Sequence, residues 1–429
     1  MFQRITLKNY RTHTSSMIAL GPVTLLVGNN NSGKTNFLRG IQHFSKLIRY
    51  ARPRLPDRDQ KDDVLAEGPS REEDGLKEWA LFPHKHRLAK WDEPTRLDCV
   101  WKHELGSAEY RLELLPVAGA DVGCRERIVL NSAQAFAQVQ EQWGWPKLER
   151  DLNLQRKLAE STNLDGRLKE LSDLFFDDAG RAFCFHLEPS YLRCEGPDLR
   201  DEADRASARD HAGLGEHGDG LQALLRRLRK TDEMTFNRIL AALRSFDPSF
   251  QNIRYDSRKS KVVWQFALQE GVPGRLDEFD SDEVSDGLLK AAAVAYLTCV
   301  PSPPPLIMLE EIENGINPAN IQEFMTWLWR SAGTDQACDK GYHTQFLLTS
   351  HSPTVLRQFA EHLGDVYTVH LDRKGFRSDV LNLRDSLDVF AKVGSLDEAE
   401  YDEDTDGERV LKRVPPYRLA ELWFNGTIG

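Results

Sequence analysis

The residues GNNNSGKT, Gly28–Thr35, decide how the rest of this chain is read. They end PVTLLVG (Pro22–Gly28), a continuous apolar run closed by glycine, as a buried strand would be. After them Phe37, Leu38, Ile41, Phe44 and Ile48 fall at helical spacing. Strand, loop and helix form the setting in which G-x-x-x-x-G-K-[ST] binds phosphate. Gly28 and Gly33 let the backbone curl, so that the amides of Asn29, Asn30, Asn31 and Ser32 turn toward phosphate oxygens. The helix that follows adds its positive end. Lys34 supplies a point charge for the β- and γ-phosphates, and the Thr35 hydroxyl can ligate Mg²⁺. The pattern implies a nucleotide, ATP, with Mg²⁺.

A phosphate loop needs an acidic residue at the end of a neighbouring apolar strand to hold the metal. PLIMLEEIENGINP (Pro305–Pro318) offers Glu310 to reach Mg²⁺ and Glu311 to orient the attacking water. A further apolar stretch, Thr344–Leu348, leads into Thr349, Ser350, His351, Ser352 and Pro353. His351 therefore lies just past a sheet strand, where ligand groups gather in α/β folds. Between the two halves, Ser285, Asp286 and Gly287 open an apolar helix, a hydroxyl and free amides forming another anion site.

The 429 residues are 40% hydrophobic and 29% charged, which is ordinary globular composition. No segment reaches the roughly 20 apolar residues of a membrane span, and the start lacks the apolar core of a signal peptide. A cytoplasmic protein without a membrane partner is expected. Six scattered cysteines without a CxxC pair read as buried free thiols. The net charge of −11 argues mildly against nucleic acid, although Arg226–Lys230 and Arg254–Lys261 leave a local basic face open. The acidic runs Asp277–Asp286 and Asp397–Asp406 read as solvated loops.

Along the chain, RITLKNY (Arg4–Tyr10) alternates as a strand, and residues 52–95 read as an exposed insertion. Strands are expected at Arg96–His103, Glu109–Leu115 and Glu126–Leu130, then polar helix from Ala133 to Phe176. A second insertion-like stretch, Gly196–Gly220, precedes a helical run, Leu221–Phe246. From Lys261 strands and helices alternate, which implies a parallel sheet.

Taken in order, the strand ending Asn-Tyr-Arg, GNNNSGKT, SDG, LEEIENGINP and TSHSP resemble the RecF/SMC-like branch of ABC ATPases. Within it the chain is similar to stand-alone AAA family ATPases related to the ATPase half of OLD nucleases, many of them encoded in prokaryotic defence or toxin–antitoxin modules. The resemblance implies an α/β fold, an ABC-type P-loop ATPase head with mixed and parallel sheet flanked by helices and an inserted helical/β lobe. Residues 1–50 and 261–385 would form the head, 51–260 the insertions and helical lobe, and 386–429 an acidic loop and C-terminal segment.

Position by position, Gly28–Thr35 correspond to the Walker A motif, Glu310 and Glu311 to the Walker B and catalytic carboxylates, and His351 to the switch histidine. Ser285 and Gly287 correspond to the signature motif, Asn317 falls at the D-loop, and Arg11 lies near the nucleotide. The chain departs from the common pattern in Glu310 for Asp, SDG for SGG and Asn317 for Asp or His; a Q-loop glutamine is sought around Phe185–Ser190.

In the resembled fold Lys34 and Ser285 meet only across a dimer, so ATP would join two chains. The favoured reading is an ATP-switched homodimer or higher oligomer that regulates a separate effector, often a nuclease. The alternatives are a RecF-like DNA-repair ATPase and a nucleotide-gated assembly protein with little turnover. No nuclease of its own is expected: after His351 too little chain remains for a metal-binding nuclease domain. Asp402, Asp404 and Asp406 alternate within what reads as a solvated loop.

Overall fold

The structure is a computed structural model that describes residues 1–50, 85–90, 93–116, 122–133, 135–144, 154–162, 164–194, 213–258, 261–268, 276–333, 344–392, 399–403, 409–426 and 428. The chain divides into two compact units. The first comprises Met1–Leu20, Asn29–Ala182 and Val369–Leu381; the second comprises Gly21–Gly28, Phe183–Thr368 and Asn382–Gly429.

In the first unit, β1 (Phe2–Tyr10), β2 (His13–Ala19), β4 (Thr95–His103), β5 (Gly106–Pro116), β6 (Val122–Ser132) and β7 (Phe136–Gly144) form one antiparallel sheet, in the order β2-β1-β4-β5-β6-β7. Alternation puts Ile5, Leu7, Leu97, Trp101, Tyr110, Leu112, Ile128 and Leu130 inside. Helix α1 (Lys34–Tyr50) buries Phe37, Leu38, Ile41, Phe44 and Ile48, the five positions its periodicity marks. Gly40 lets it approach the sheet, because a Cβ there would lie 2.5 Å from a Leu7 methyl. Helix α2 (Leu154–Glu160) precedes α3 (Gly166–Ala179). Phe175 and Phe176 of α3 pack edge-on or tilted against Tyr110, and Trp101 Nε1 donates to Asp178 at 2.8 Å. Burying each such ring contributes on the order of 2 kcal/mol.

The stretch expected as helix from Ala133 is instead strand β7, followed by α2 and α3. FAQVQEQW is rich in helix-favouring Ala, Gln and Glu, but it pairs with β6 from Phe136↔Asn131 to Gly144↔Gly123. Tertiary pairing overrides local preference.

In the second unit, β3 (Val23–Val27), β12 (Leu306–Leu309) and β13 (Gln345–Ser350) are wholly buried parallel neighbours, and β14 (Val366–Asp372) lies parallel on the other side of β3. With β8 (Ala182–Phe185) they lie in the order β14-β3-β13-β12-β8; β15 (Arg377–Asn382) falls, but for Asn382, in the first unit. Two-sided burial is why their sequences read as continuous apolar runs. A short turn of helix, α4 (Pro189–Arg193), leads to α5 (Leu221–Thr231) and α6 (Glu233–Phe246). These precede a three-stranded sheet of β9 (Phe250–Asp256), β10 (Lys261–Phe266) and β11 (Asp277–Asp280). Helix α7 (Asp286–Cys299) is buried all round. Helices α8 (Ile321–Ser331), α9 (Pro353–Arg357), α10 (Leu383–Lys392) and α11 (Pro416–Phe424) and the hairpin β16 (Glu400–Glu403) with β17 (Arg409–Arg413) complete the unit. The fold is α/β, with mixed and antiparallel sheets flanked by helices.

Both acidic runs read as loops contain strand. Asp277–Asp280 pairs with β10, and Glu400–Glu403, which includes Asp402, pairs with β17. Asp404 and Asp406 lie outside the described residues, as do most of the expected insertions at 52–95 and Gly196–Gly220. Cys99 and Cys184 are buried free thiols, but Cys194 is exposed and Cys299 half-buried. None of the described helices is long and apolar enough to cross a membrane.

Candidate nucleotide site

Within the second unit, the carboxyl ends of three adjacent parallel strands carry the expected residues. Gly28 follows β3, Glu310 and Glu311 follow β12, and His351 follows β13. The register aligns these ends, since Leu309 pairs with Leu348 and Val27 with Ser350. Such a crevice is where open α/β sheets bind ligands.

Glu310 is buried, its amide donating to the Phe185 carbonyl at 2.9 Å. Cys184 Sγ donates to its Oε1 at 3.5 Å, and His186 Nδ1 stands 3.8 Å from Oε2. No glutamine occupies Phe185–Ser190; His186 is the side chain that reaches Glu310 there. Glu311 sits at φ +47°, a left-handed conformation that L-residues adopt at a cost of about 1–2 kcal/mol. It is pinned from three sides: its amide donates to Thr349 Oγ1 at 3.0 Å, Asn314 Nδ2 donates to Oε2 at 2.6 Å, and His351 Nε2 lies 3.6 Å from Oε1. Two residues on, Glu313 Oε1 accepts the His351 amide at 2.7 Å.

Ser285 is the N-cap of α7, its hydroxyl oxygen accepting from the Leu288 amide at 3.3 Å. Gly287 permits the start of α7 to abut the loop after Glu311: a Cβ on Gly287 would lie 3.3 Å from the Gly315 carbonyl, and one on Gly315 2.8 Å from Asp286 Cβ. Asp286 is paired with Arg193 at 2.5 Å. One turn along, Lys290 is buried, and burial pushes its pKa down against the pull of Glu313, Asp286 and Glu311. Asn317 caps the following turn, accepting from the Ala319 amide at 3.0 Å.

Within the first unit, the loop turns at Asn31 (φ +64°) and Gly33 (φ +111°). Lys34 Nζ donates to the Asn29 carbonyl at 3.0 Å, with Ser32 Oγ at 3.5 Å. Behind the loop stands a neutral brace. Ser378 Oγ donates to the Ser32 carbonyl at 2.6 Å and lies 2.7 Å from Thr12 Oγ1; His13 Nε2 meets the Gly33 carbonyl at 3.0 Å. A carbonyl only accepts, so Nε2 carries the proton and Nδ1 accepts from Ser16 Oγ at 2.8 Å. Burial holds the His13 pKa down at about 4, outweighing the Gly33 bond. A Cβ on Gly33 would come 2.1 Å from Ser378 Oγ, so only glycine fits. Arg11 donates to Asn36 Oδ1 at 3.0 Å, beside the first turn of α1.

The oxygen donors expected to hold Mg²⁺, the Thr35 hydroxyl and the Glu310 carboxylate, are of the hard type that ion takes. Sequence reasoning missed His13, Ser378, Thr349, Glu313, Lys290 and His186 as contributors. Thr349 stands in the quoted TSHSP, Glu313 in LEEIENGINP and His186 in the Phe185–Ser190 stretch searched for a glutamine, but His13, Ser378 and Lys290 carry no motif signal.

The two basic clusters are largely satisfied internally. Arg254 forks onto Glu278 at 2.7 and 2.5 Å, Lys261 lies 3.4 Å from Asp280, Arg226 stacks on Tyr255, and Arg229 donates to the Ile253 carbonyl.

Two family models match the chain. One, described as "AAA domain, putative AbiEii toxin, Type IV TA system", spans residues 167–357, and one described as "AAA ATPase domain" spans residues 1–75. The matched spans include the phosphate loop, Ser285–Gly287, Glu310–Glu311 and His351, and over them the chain is similar to AAA-type ATPase domains. No curated protein matches it in sequence. Among solved structures it is similar to the SMC head domain from Thermotoga maritima, at 14% identity and a TM-score of 0.43 over 89% of this chain and 98% of that one. It is also similar to the Smc head domain with an extended coiled coil, bound to the C-terminal domain of ScpA, derived from Pyrococcus furiosus; identity is 12%, TM-score 0.38, and coverage 92% and 99%.

Proposed function

We propose that this chain is an ATP-switched dimeric ATPase that regulates a separate effector, a nuclease, in a prokaryotic defence module. The observation that carries the reading is the convergence of Gly28, Glu310–Glu311 and His351 on the carboxyl ends of neighbouring strands. Asn29–Thr35 cradle the phosphates and Lys34 neutralises them; Thr35 and Glu310 hold Mg²⁺, which shields the charge on the phosphates when bound. Glu311 accepts a proton from the attacking water, and His351, fixed through Glu313, stands beside it. Ser285 and Gly287 present a helix N-terminus to the nucleotide of a second copy. The defence setting rests on the first family description, which names a toxin–antitoxin system. The chain itself is expected to leave DNA and RNA uncut.

The test is mass by light scattering with and without ATP, on the parent and on Glu311→Gln. Glu311→Gln keeps the side-chain shape but accepts a proton poorly, so it should accumulate an ATP-dependent dimer while turning over about 10²–10³-fold more slowly. A chain that stays monomeric with saturating ATP in both forms refutes the dimer switch.

A further inference from the structure

Glu311, the carboxylate assigned to the attacking water, has both of its oxygens faced by groups of its own chain. Asn314 Nδ2 donates to Oε2 at 2.6 Å, and His351 Nε2 stands 3.6 Å from Oε1. The Asn314 amide also donates to the Glu311 carbonyl at 3.1 Å, closing a tight turn. Oε2 is thereby held toward its own loop. A base must come within hydrogen-bond reach of the water whose proton it takes, and an oxygen spent on an intramolecular donor is poorly placed to do so.

The holds on this loop are of two kinds. Thr349, which accepts the Glu311 amide at 3.0 Å, is buried, and so fixes the backbone permanently. Asn314 is exposed, and its bond to Glu311 is the one its side chain makes among the described residues. A hydrogen bond between exposed groups exchanges with water at small net cost, which suits a contact that has to let go.

The neighbouring residue supplies a means of release. Gly315 packs on the first turn of α7: a Cβ on Gly315 would lie 2.8 Å from Asp286 Cβ, and one on Gly287 3.3 Å from the Gly315 carbonyl. Backbones this close leave no slack, so a push on the start of α7 displaces the loop that carries Asn314. Ser285 and Gly287, the residues read as meeting the nucleotide of a second copy, are that start.

We propose that Asn314 is an autoinhibitory latch on Glu311. In the single chain it holds the carboxylate off the attacking water; closure of the dimer on Ser285–Gly287 shifts the Gly315 loop and frees it. Asn314 acts through Glu311 alone and is a positioning residue. The inference rests on the dimer switch proposed above and adds its regulation: closure completes the site and also unlocks the base.

The experiment is ATPase activity per chain at a series of protein concentrations spanning about a thousandfold, with the dimer fraction followed by light scattering. It compares the parent, Asn314→Ala, and Asn314→Ala combined with Glu311→Gln. In dilute solution Asn314→Ala should turn over about fivefold or more faster than the parent, with KM for ATP unchanged. Where the parent is dimeric the two rates should converge. The combined variant should lose the gain, which places it at Glu311. Because Asn314 is exposed, the single variant should melt with the parent. An equal or slower dilute rate in Asn314→Ala overturns the latch, and so does a gain of the same size at every concentration, which would mean that closure does not release it. In both cases a parent that still dimerises with ATP leaves the dimer switch standing. A parent that never dimerises removes the switch and the latch together.

Discussion

The loop Gly28–Thr35 and the loop Glu310–Asn317 are both read as phosphate-chemistry loops, but they are held by opposite means. The first is braced by neutral groups: Ser378 on the Ser32 carbonyl, His13 on the Gly33 carbonyl, Thr12 beside them. The second is held by charge and strain: Glu311 in a left-handed conformation, Glu313 on the His351 amide, the buried Lys290 among carboxylates, and Asp286 tied to Arg193. A loop that receives a polyanion works through its amides and one lysine, and a charged brace would compete with the ligand. A loop that keeps acids together needs cations near them.

The comparison breaks first at Lys34. If the neutral brace leaves Lys34 as the charge aimed at phosphate, Lys34→Ala should lower ATP affinity at least a hundredfold, about 2.7 kcal/mol, and take turnover below detection. Melting temperature should change little. Titration with a fluorescent ATP analogue checks it, and parent affinity in the variant would mean that the loop does not work through this lysine.

A smaller effect tests the strained side. Thr349→Val keeps shape but removes the acceptor of the Glu311 amide, leaving a strained backbone unpinned. Turnover should fall about tenfold with ATP affinity unchanged, and stability should drop by about 1–3 kcal/mol. Steady-state kinetics and urea unfolding measure both. Loss of stability with full turnover would mean that the Glu311 geometry is not what the loop is built to hold.

How much of this the sequence carries depends on where each constraint is closed. The phosphate loop is legible because its glycines, its lysine and the apolar spacing of α1 act within one short segment. The run LIMLEE is legible for the same reason: a fully buried strand must be apolar, and its acids stop it. The braces are not legible. Ser378 reaches Ser32 from the far end of the chain, and nothing around it marks a partner. His13 looks like a lone strand histidine. β7 misleads because its inward residues, Ala137 and Val139, are few and small, so its alternation is faint.

The smallest expected effect sharpens the neutral side of the comparison. His13 is buried with its pKa near 4, against 6.5 when exposed. The unfolded chain takes up a proton below pH 6.5 that the folded chain refuses until about pH 4, so the stability tied to neutral His13 is complete above pH 6.5. It declines as pH falls, by roughly 1.4 kcal/mol per unit, and levels off below the folded pKa. Between pH 7 and pH 5 the parent should therefore lose about 2 kcal/mol that His13→Gln does not lose, since a glutamine amide can still donate to the Gly33 carbonyl but cannot titrate. At pH 7 the variant should bind ATP within about twofold of the parent, because the brace it replaces is neutral in both. Urea unfolding of the two proteins at several pH values makes the comparison. Parallel curves would show that His13 titrates like a surface histidine, and that the phosphate loop is not backed by a dry, uncharged layer.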